Sequence, residues 1–254
     1  MLAYIAIGWG MSAPSWFVYE IGYLTQEPDP NGYICTYKTT ASDDICTREN
    51  ICEGDQRIAS WEIDPNSSKF LHNWVQKLSL TCVDNWKVGL IGASLFLGWS
   101  ATLLWLPAFA DRYGRKRLFW GGQLLDLLLY VGLLLTENLI VMICIWFSFG
   151  LLTSVRTNVG YVYLMELLPR KAQTPVTSGW NVQEALIYVL GTLYFWKVST
   201  HWIYFTLIGF GWNIVSVIVM IWIPESPRYL VSVGQIEKAS KAFQTIAKIN
   251  SADD

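Results

Sequence analysis

The chain has 254 residues, 53% of them hydrophobic and only 15% charged, against roughly a quarter charged in an ordinary soluble domain. Such a composition cannot clothe a soluble surface, and its apolar content excludes a disordered chain. A net charge of −2 and the lack of a long basic patch argue against a nucleic-acid partner, leaving a polytopic membrane protein in contact with a lipid bilayer.

A bilayer core about 30 Å thick takes on the order of 20 apolar residues per helix. Six stretches fit: 1–24, 88–110, 118–136, 139–166, 176–196 and 203–223. None alternates with the two-residue period of a barrel strand, so helices are predicted. Residues 1–19 carry no charge and no basic leader, and read as a retained first helix rather than a signal peptide. The 28 residues of 139–166 exceed what a span needs, so that helix should tilt or protrude. The domain plan is therefore one helix (1–24), a polar ectodomain (25–87), five helices (88–223) and a tail (224–254). Within the tail, 235–250 reads as an amphipathic helix with Ile236, Ala239, Phe243, Ile246 and Ala247 on one face.

Cys35, Cys46, Cys52 and Cys82 fall in the ectodomain, and Cys144 in the fourth stretch. Four cysteines on the translocated side predict two disulfides, with three pairings open. Asn66-Ser67-Ser68 is a sequon and makes Asn66 a candidate glycan site. Basic residues gather in 111–117, in 167–175 (Arg170, Lys171) and after 223, while 137–138 has none and 197–202 only Lys197. This asymmetry places both termini in the cytoplasm, with the plasma membrane the expected location. His72 and His201 have no partners at zinc spacing. There is no Gly-rich phosphate loop and no catalytic constellation, so neither enzyme chemistry, a metal nor a cofactor is expected.

Glu20, Asp126, Arg156 and Glu184 interrupt the apolar stretches. At 1.5 Å per residue, Asp126 lies about 13 Å from Arg117, Arg156 about 15 Å from Glu166, and Glu184 about 13 Å from Pro175. A charge at such depth costs roughly 2.5–3.5 kcal/mol and usually faces a cavity or a partner. One reading is a polar cavity in which Arg156 attracts an anionic group or Glu184 a cationic one, with Asn158, Asn181, Gln183 and Tyr188 adding hydrogen bonds. The other is an internal Arg156–Asp126 or Arg156–Glu184 pair that locks the bundle. Most of the 14 Trp suit the membrane interface, while Trp16, Trp99, Trp180 and Trp212 are placed to line a cavity.

Asp111-Arg112-Tyr113-Gly114-Arg115-Lys116-Arg117 follows the second stretch and resembles the G-x-L-A-D-R-x-G-R-K/R-R/K loop of the major facilitator superfamily. Asp84-Asn85-Trp86-Lys87, Tyr161-Val162-Tyr163-Leu164-Met165-Glu166 and Pro224-Glu225-Ser226-Pro227-Arg228-Tyr229-Leu230 agree with it. The cysteine-bearing ectodomain followed by Asp-Asn-x-Trp is most similar to the organic cation, organic anion and carnitine transporters, while the Pro-Glu-Ser-Pro-Arg motif is shared with sugar porters. The resemblance implies an all-α, six-helix N-terminal half-bundle made of two inverted three-helix repeats. It also implies a second six-helix half in a longer chain or a separate subunit, or a place in a larger membrane complex, and a small organic ion carried by alternating access. Asp111, Gly114, Arg115, Glu166, Glu225 and Arg228 would form the inner gating network. Two positions depart from the pattern: Pro107 stands where Gly is expected and Gln173 where Arg is expected. The alternatives are a non-transporting accessory subunit, a sugar-porter-like transporter and, as a minor fourth, a receptor role for the ectodomain.

Overall fold

The computed structural model describes residues 3–38, 43–67 and 69–249. Ser68 of the sequon, the first two residues of the first stretch and 250–254 of the tail lie outside the described residues. Helices lie in all six apolar stretches, but they are not alike. Arg115–Leu135, Leu139–Leu167 and Trp202–Trp222 are each long and apolar enough to cross a membrane. Asn85–Leu103 and Leu106–Tyr113 make a fourth if taken as one span bent by 57°. The bend has a local cause. Pro107 has no N–H for the carbonyl four residues back, that of Leu103, and its ring crowds that carbonyl, so the first piece ends at Leu103 and Pro107 enters the first turn of the next.

The first stretch is a π turn, Tyr4–Gly8, followed by Trp9–Ser12, Ser15–Val18 and Ile21–Leu24. Pro14 falls at one break and Glu20 at the other. The fifth helix, Arg170–Leu193, is kept more polar by Asn181, Gln183 and Glu184, and starts six residues before its apolar stretch. Most of the expected 167–175 loop is therefore helical. In the tail, Ile236–Ile249 is helical, but its buried side is Ala239 and Ala242 against Leu230. Ile236 and Phe243, expected on that side, are exposed.

The second and fourth helices pack closest. A Cβ on Gly98 would lie 2.1 Å from the Phe147 carbonyl oxygen, and one on Gly150 would lie 2.0 Å from that of Leu95. Only glycine lets these backbones meet. Beside this contact an aromatic core gathers Phe17, Tyr130, Trp146 and Phe149, with Phe17 ring centroids 4.8–5.5 Å from the other three.

The ectodomain carries a three-stranded antiparallel sheet of β1 (Tyr33–Tyr37), β2 (Asp43–Cys46) and β3 (Ile58–Ile63), in the order β2-β1-β3. Cys35 bonds Cys46 across β1 and β2, and Cys52 bonds Cys82. Two disulfides are thus formed, with the pairing the spacing left open. Residues 71–78 fasten this domain to the bundle. Asn73 Nδ2 donates to the carbonyls of Tyr23 and Gln26 at 2.9 and 2.8 Å. Lys77 Nζ donates to those of Leu133 and Leu134 at 3.0 and 2.7 Å. Trp74 packs edge-on against Trp146, with centroids 5.5 Å apart.

Candidate functional site

A cavity of about 620 Å³ opens between the first, second, fourth and fifth helical stretches. Trp99, Trp146, Trp180 and Tyr19 supply aromatic wall, and Glu184 is the one charged residue lining it among the described residues. Glu184 is held from two sides. Its Oε2 accepts from Ser15 Oγ at 2.7 Å and from Tyr19 Oη at 2.9 Å, and its Oε1 accepts from Trp180 Nε1 at 3.2 Å. Trp180 Nε1 also points at Ser12 Oγ, 3.0 Å away. Ser12 Oγ accepts from Gln183 Nε2 at 2.7 Å, and Tyr4 Oη donates to Gln183 Oε1 at 2.8 Å. A polar seam therefore joins the first helix to the fifth, with Glu184 at its cavity side.

The other expected charges lie elsewhere. Arg156 Nη1 and Asp126 Oδ2 are 2.8 Å apart, and both side chains are 0% exposed. Arg156 Nη2 also donates to Thr153 Oγ1 at 2.9 Å. The π turn Val155–Val159 carries Arg156, and neither partner of the pair lines the cavity. Of the remaining candidates, Asn158 and Asn181 line the cavity. Gln183 is taken up in the seam, and Tyr188 is exposed, edge-on to Tyr19. Glu20 is buried against Gly191 with no hydrogen-bond partner among the described residues. Sequence reasoning missed Ser15, Tyr19, Thr153 and Thr157. Each pair is spaced i, i+4, which puts both members on one helix face, so the signal was present as a polar stripe.

At the opposite end from the ectodomain, Arg115 Nη2 reaches Asp111 Oδ1 at 2.9 Å and its Nε lies 3.3 Å from Glu166 Oε2. Its guanidinium carbon sits 5.1 Å from the ring centroid of Tyr229. Glu225 Oε1 accepts from the amides of Lys116 at 2.9 Å and Ser226 at 3.0 Å, placing a carboxylate at the start of helix Arg115–Leu135, where exposed N–H groups favour negative charge. Gly114 turns the chain there with φ 94°, and a Cβ on it would come 2.5 Å from Glu225 Oε2. Arg228 is exposed and forms no ion pair among the described residues. Gln173 Nε2 donates to the Met165 carbonyl at 2.8 Å, so a neutral cap occupies the place where a cationic partner was expected. Asn158 lines both the large cavity and a smaller one of about 260 Å³ that reaches Asp111 and Arg115. Asn66 is exposed in the turn after β3.

The family described as sugar (and other) transporter matches residues 15–254. Human solute carrier family 22 member 16 is 26% identical over 179 residues, covering 70% of this chain and 31% of its own length. The putative transporter SVOPL of Danio rerio is 29% identical over 182 residues, 66% of this chain and 33% of its own. Human solute carrier family 22 member 2 is 25% identical over 179 residues, 69% of this chain and 32% of its own. The chain thus spans about a third of the length of the curated relatives it matches.

Proposed function

Because the chain belongs to the sugar (and other) transporter family, we propose that it is the N-terminal six-helix half of an alternating-access membrane transporter for a small organic ion, and that the ion is a cation. The observation that carries the charge sign is the contrast between Glu184 and Arg156. Glu184 lines the cavity, whereas the Arg156 charge is sealed against Asp126. Aromatic faces around a carboxylate suit a cation through the ring quadrupole. Three donors already occupy the Glu184 oxygens, so the site offers charge more than acceptor capacity. It therefore favours a cation without N–H groups, a tetraalkylammonium over a primary ammonium. The Asp111–Arg115–Glu166 pairs and the Glu225 contact hold the inner helix ends together in one state of the cycle, and a second six-helix half closes the open side of the cavity. In this reading both termini are cytoplasmic, the disulfide-bonded domain faces outward with a glycan on Asn66, and the plasma membrane is the site of action.

The sealed Arg156–Asp126 pair and the Pro107 bend favour a second reading, an accessory subunit that keeps the bundle without transport. Binding separates the two. The native assembly, purified gently and placed in nanodiscs, should bind a tetraalkylammonium ion saturably. Glu184→Gln should weaken that binding roughly tenfold, the equivalent of 1.4 kcal/mol. Preference for a carboxylate ion or a hexose would overturn the cation assignment, and failure to bind any of the three would favour the accessory subunit.

A further inference from the structure

The chain contains two histidines, 129 positions apart, and the fold brings them face to face. The rings of His72 and His201 stack with centroids 4.0 Å apart and planes inclined by 13°. Their backbones are joined as well. His72 N donates to the Thr200 carbonyl at 3.0 Å, and Trp202 N donates to that of His72 at 3.3 Å, forming a short parallel bridge. This is the seam where the disulfide-bonded domain meets the turn between the fifth and sixth helices. The cavity and the inner ion pairs make no use of it.

We propose that this stack is a pH-sensitive clasp, closed while at least one imidazole is neutral and opened when both are protonated. Imidazole changes its charge between about pH 5 and 8. Neutral or singly charged rings can stack, but two imidazolium rings 4.0 Å apart repel one another. The groups that touch the rings are neutral and supply no counter-charge to offset that repulsion. His72 Nδ1 lies 3.0 Å from Gln76 Oε1, a neutral partner, and Phe70 packs edge-on against the same ring. Tyr204 lies edge-on to His201, and Tyr194 Oη donates to the His201 carbonyl at 2.7 Å.

Three lysines flank the seam on the elements that form it. Lys69 is paired with Asp29, Lys77 caps the third helix, and Lys197 lies over Trp196. Glu137 acts on Lys77, and neither imidazole has an ion-pair partner among the described residues. His201 is exposed, so protons reach the stack from water. Opening the clasp releases the bridge at residues 72 and 200–202, while Asn73 and Lys77 still tether the domain to the first and third helices.

Amide hydrogen exchange of the full chain in nanodiscs, at about pH 7.5 and about pH 5.5 and corrected for the intrinsic pH dependence of exchange, tests this. Peptides covering 70–74 and 199–203 should exchange at least roughly threefold faster at the lower pH, while peptides from β1 and β3 stay unchanged. His201→Phe keeps a flat ring without the charge and should abolish the difference, as should His72→Phe. Equal exchange at both pH values in the natural chain overturns the clasp. So does a difference that persists in both variants. A rise that includes the sheet would mean general acid loosening and would overturn it too.

Discussion

Arg156 and Glu184 look equivalent in the sequence: each is a lone charge inside an apolar run, at similar depth from a basic loop. What separates them is a partner on another helix, and depth along one helix carries no information about azimuth. Asp126 neutralises Arg156 at 2.8 Å, while Glu184 meets only neutral donors. Arg156→Ala should therefore strand a buried carboxylate and cost about 3–5 kcal/mol, read as lost thermal stability in detergent. The double change Arg156→Met with Asp126→Leu should recover most of it, because a pair of matched apolar groups needs no compensation. A stable Arg156→Ala protein that merely stops binding would return Arg156 to the cavity. On the ectodomain surface, the Arg57 guanidinium hydrogen-bonded to Asp55 holds its carboxyl down to about 2. Since the folded value lies below the unfolded one, this pair helps stability above about pH 4, and the help is lost as pH falls toward 2. NMR titration of Asp55 should find that low midpoint, and Arg57→Gln should return it toward about 4.

Elements are legible to different degrees, for different physical reasons. Apolar length is read directly from sequence because the membrane demands it, and the long third, fourth and sixth helices follow from it. The fifth helix starts earlier than its apolar stretch because a helix outside the hydrocarbon needs no apolar residues to form. A proline inside a helix kinks it, so a break at Pro107 is legible in the sequence, but its size, the 57° bend, is not. Disulfide pairing was open because loop lengths allow all three connectivities, and it was the pairing of β1 with β2 that brought Cys35 to Cys46. The contact between the second and fourth helices was equally hidden, since glycines at packing and lipid-facing positions look the same. Gly98→Ala should overpack that contact and cost about 1–3 kcal/mol, with Gly150→Ala similar. Gly92→Ala meets nothing within 4 Å and should be neutral or slightly stabilising. Thermal unfolding of the three variants compares them, and equal stability would show that the helices part freely.

At the scale of the whole molecule, a large apolar surface stays open, with Phe96, Leu97, Leu104 and Trp105 among its exposed side chains. Lipid covers part of such a surface in any membrane protein. The half-transporter proposed above would additionally need a partner bundle, so on that proposal gentle purification from native membrane should yield either a longer polypeptide or a stoichiometric companion with about six more helices. A chain of 28.9 kDa embedded in a larger complex without such a companion would instead support the accessory subunit.

The bend in the second helix says something about its surroundings. Trp105 Nε1 turns back to the Ala101 carbonyl at 2.8 Å, repairing one broken backbone bond. Pro107 has no N–H to offer the Leu103 carbonyl, about 12 Å along the chain from Asp111. Hydrocarbon cannot solvate a free carbonyl, and membrane proteins tolerate one only beside water or protein. Leu104 and Trp105, both exposed beside it, are apolar and suit acyl chains, so it is the carbonyl and not the side chains that calls for a polar neighbour. A bend of this kind belongs beside water or another polypeptide segment rather than in bare hydrocarbon.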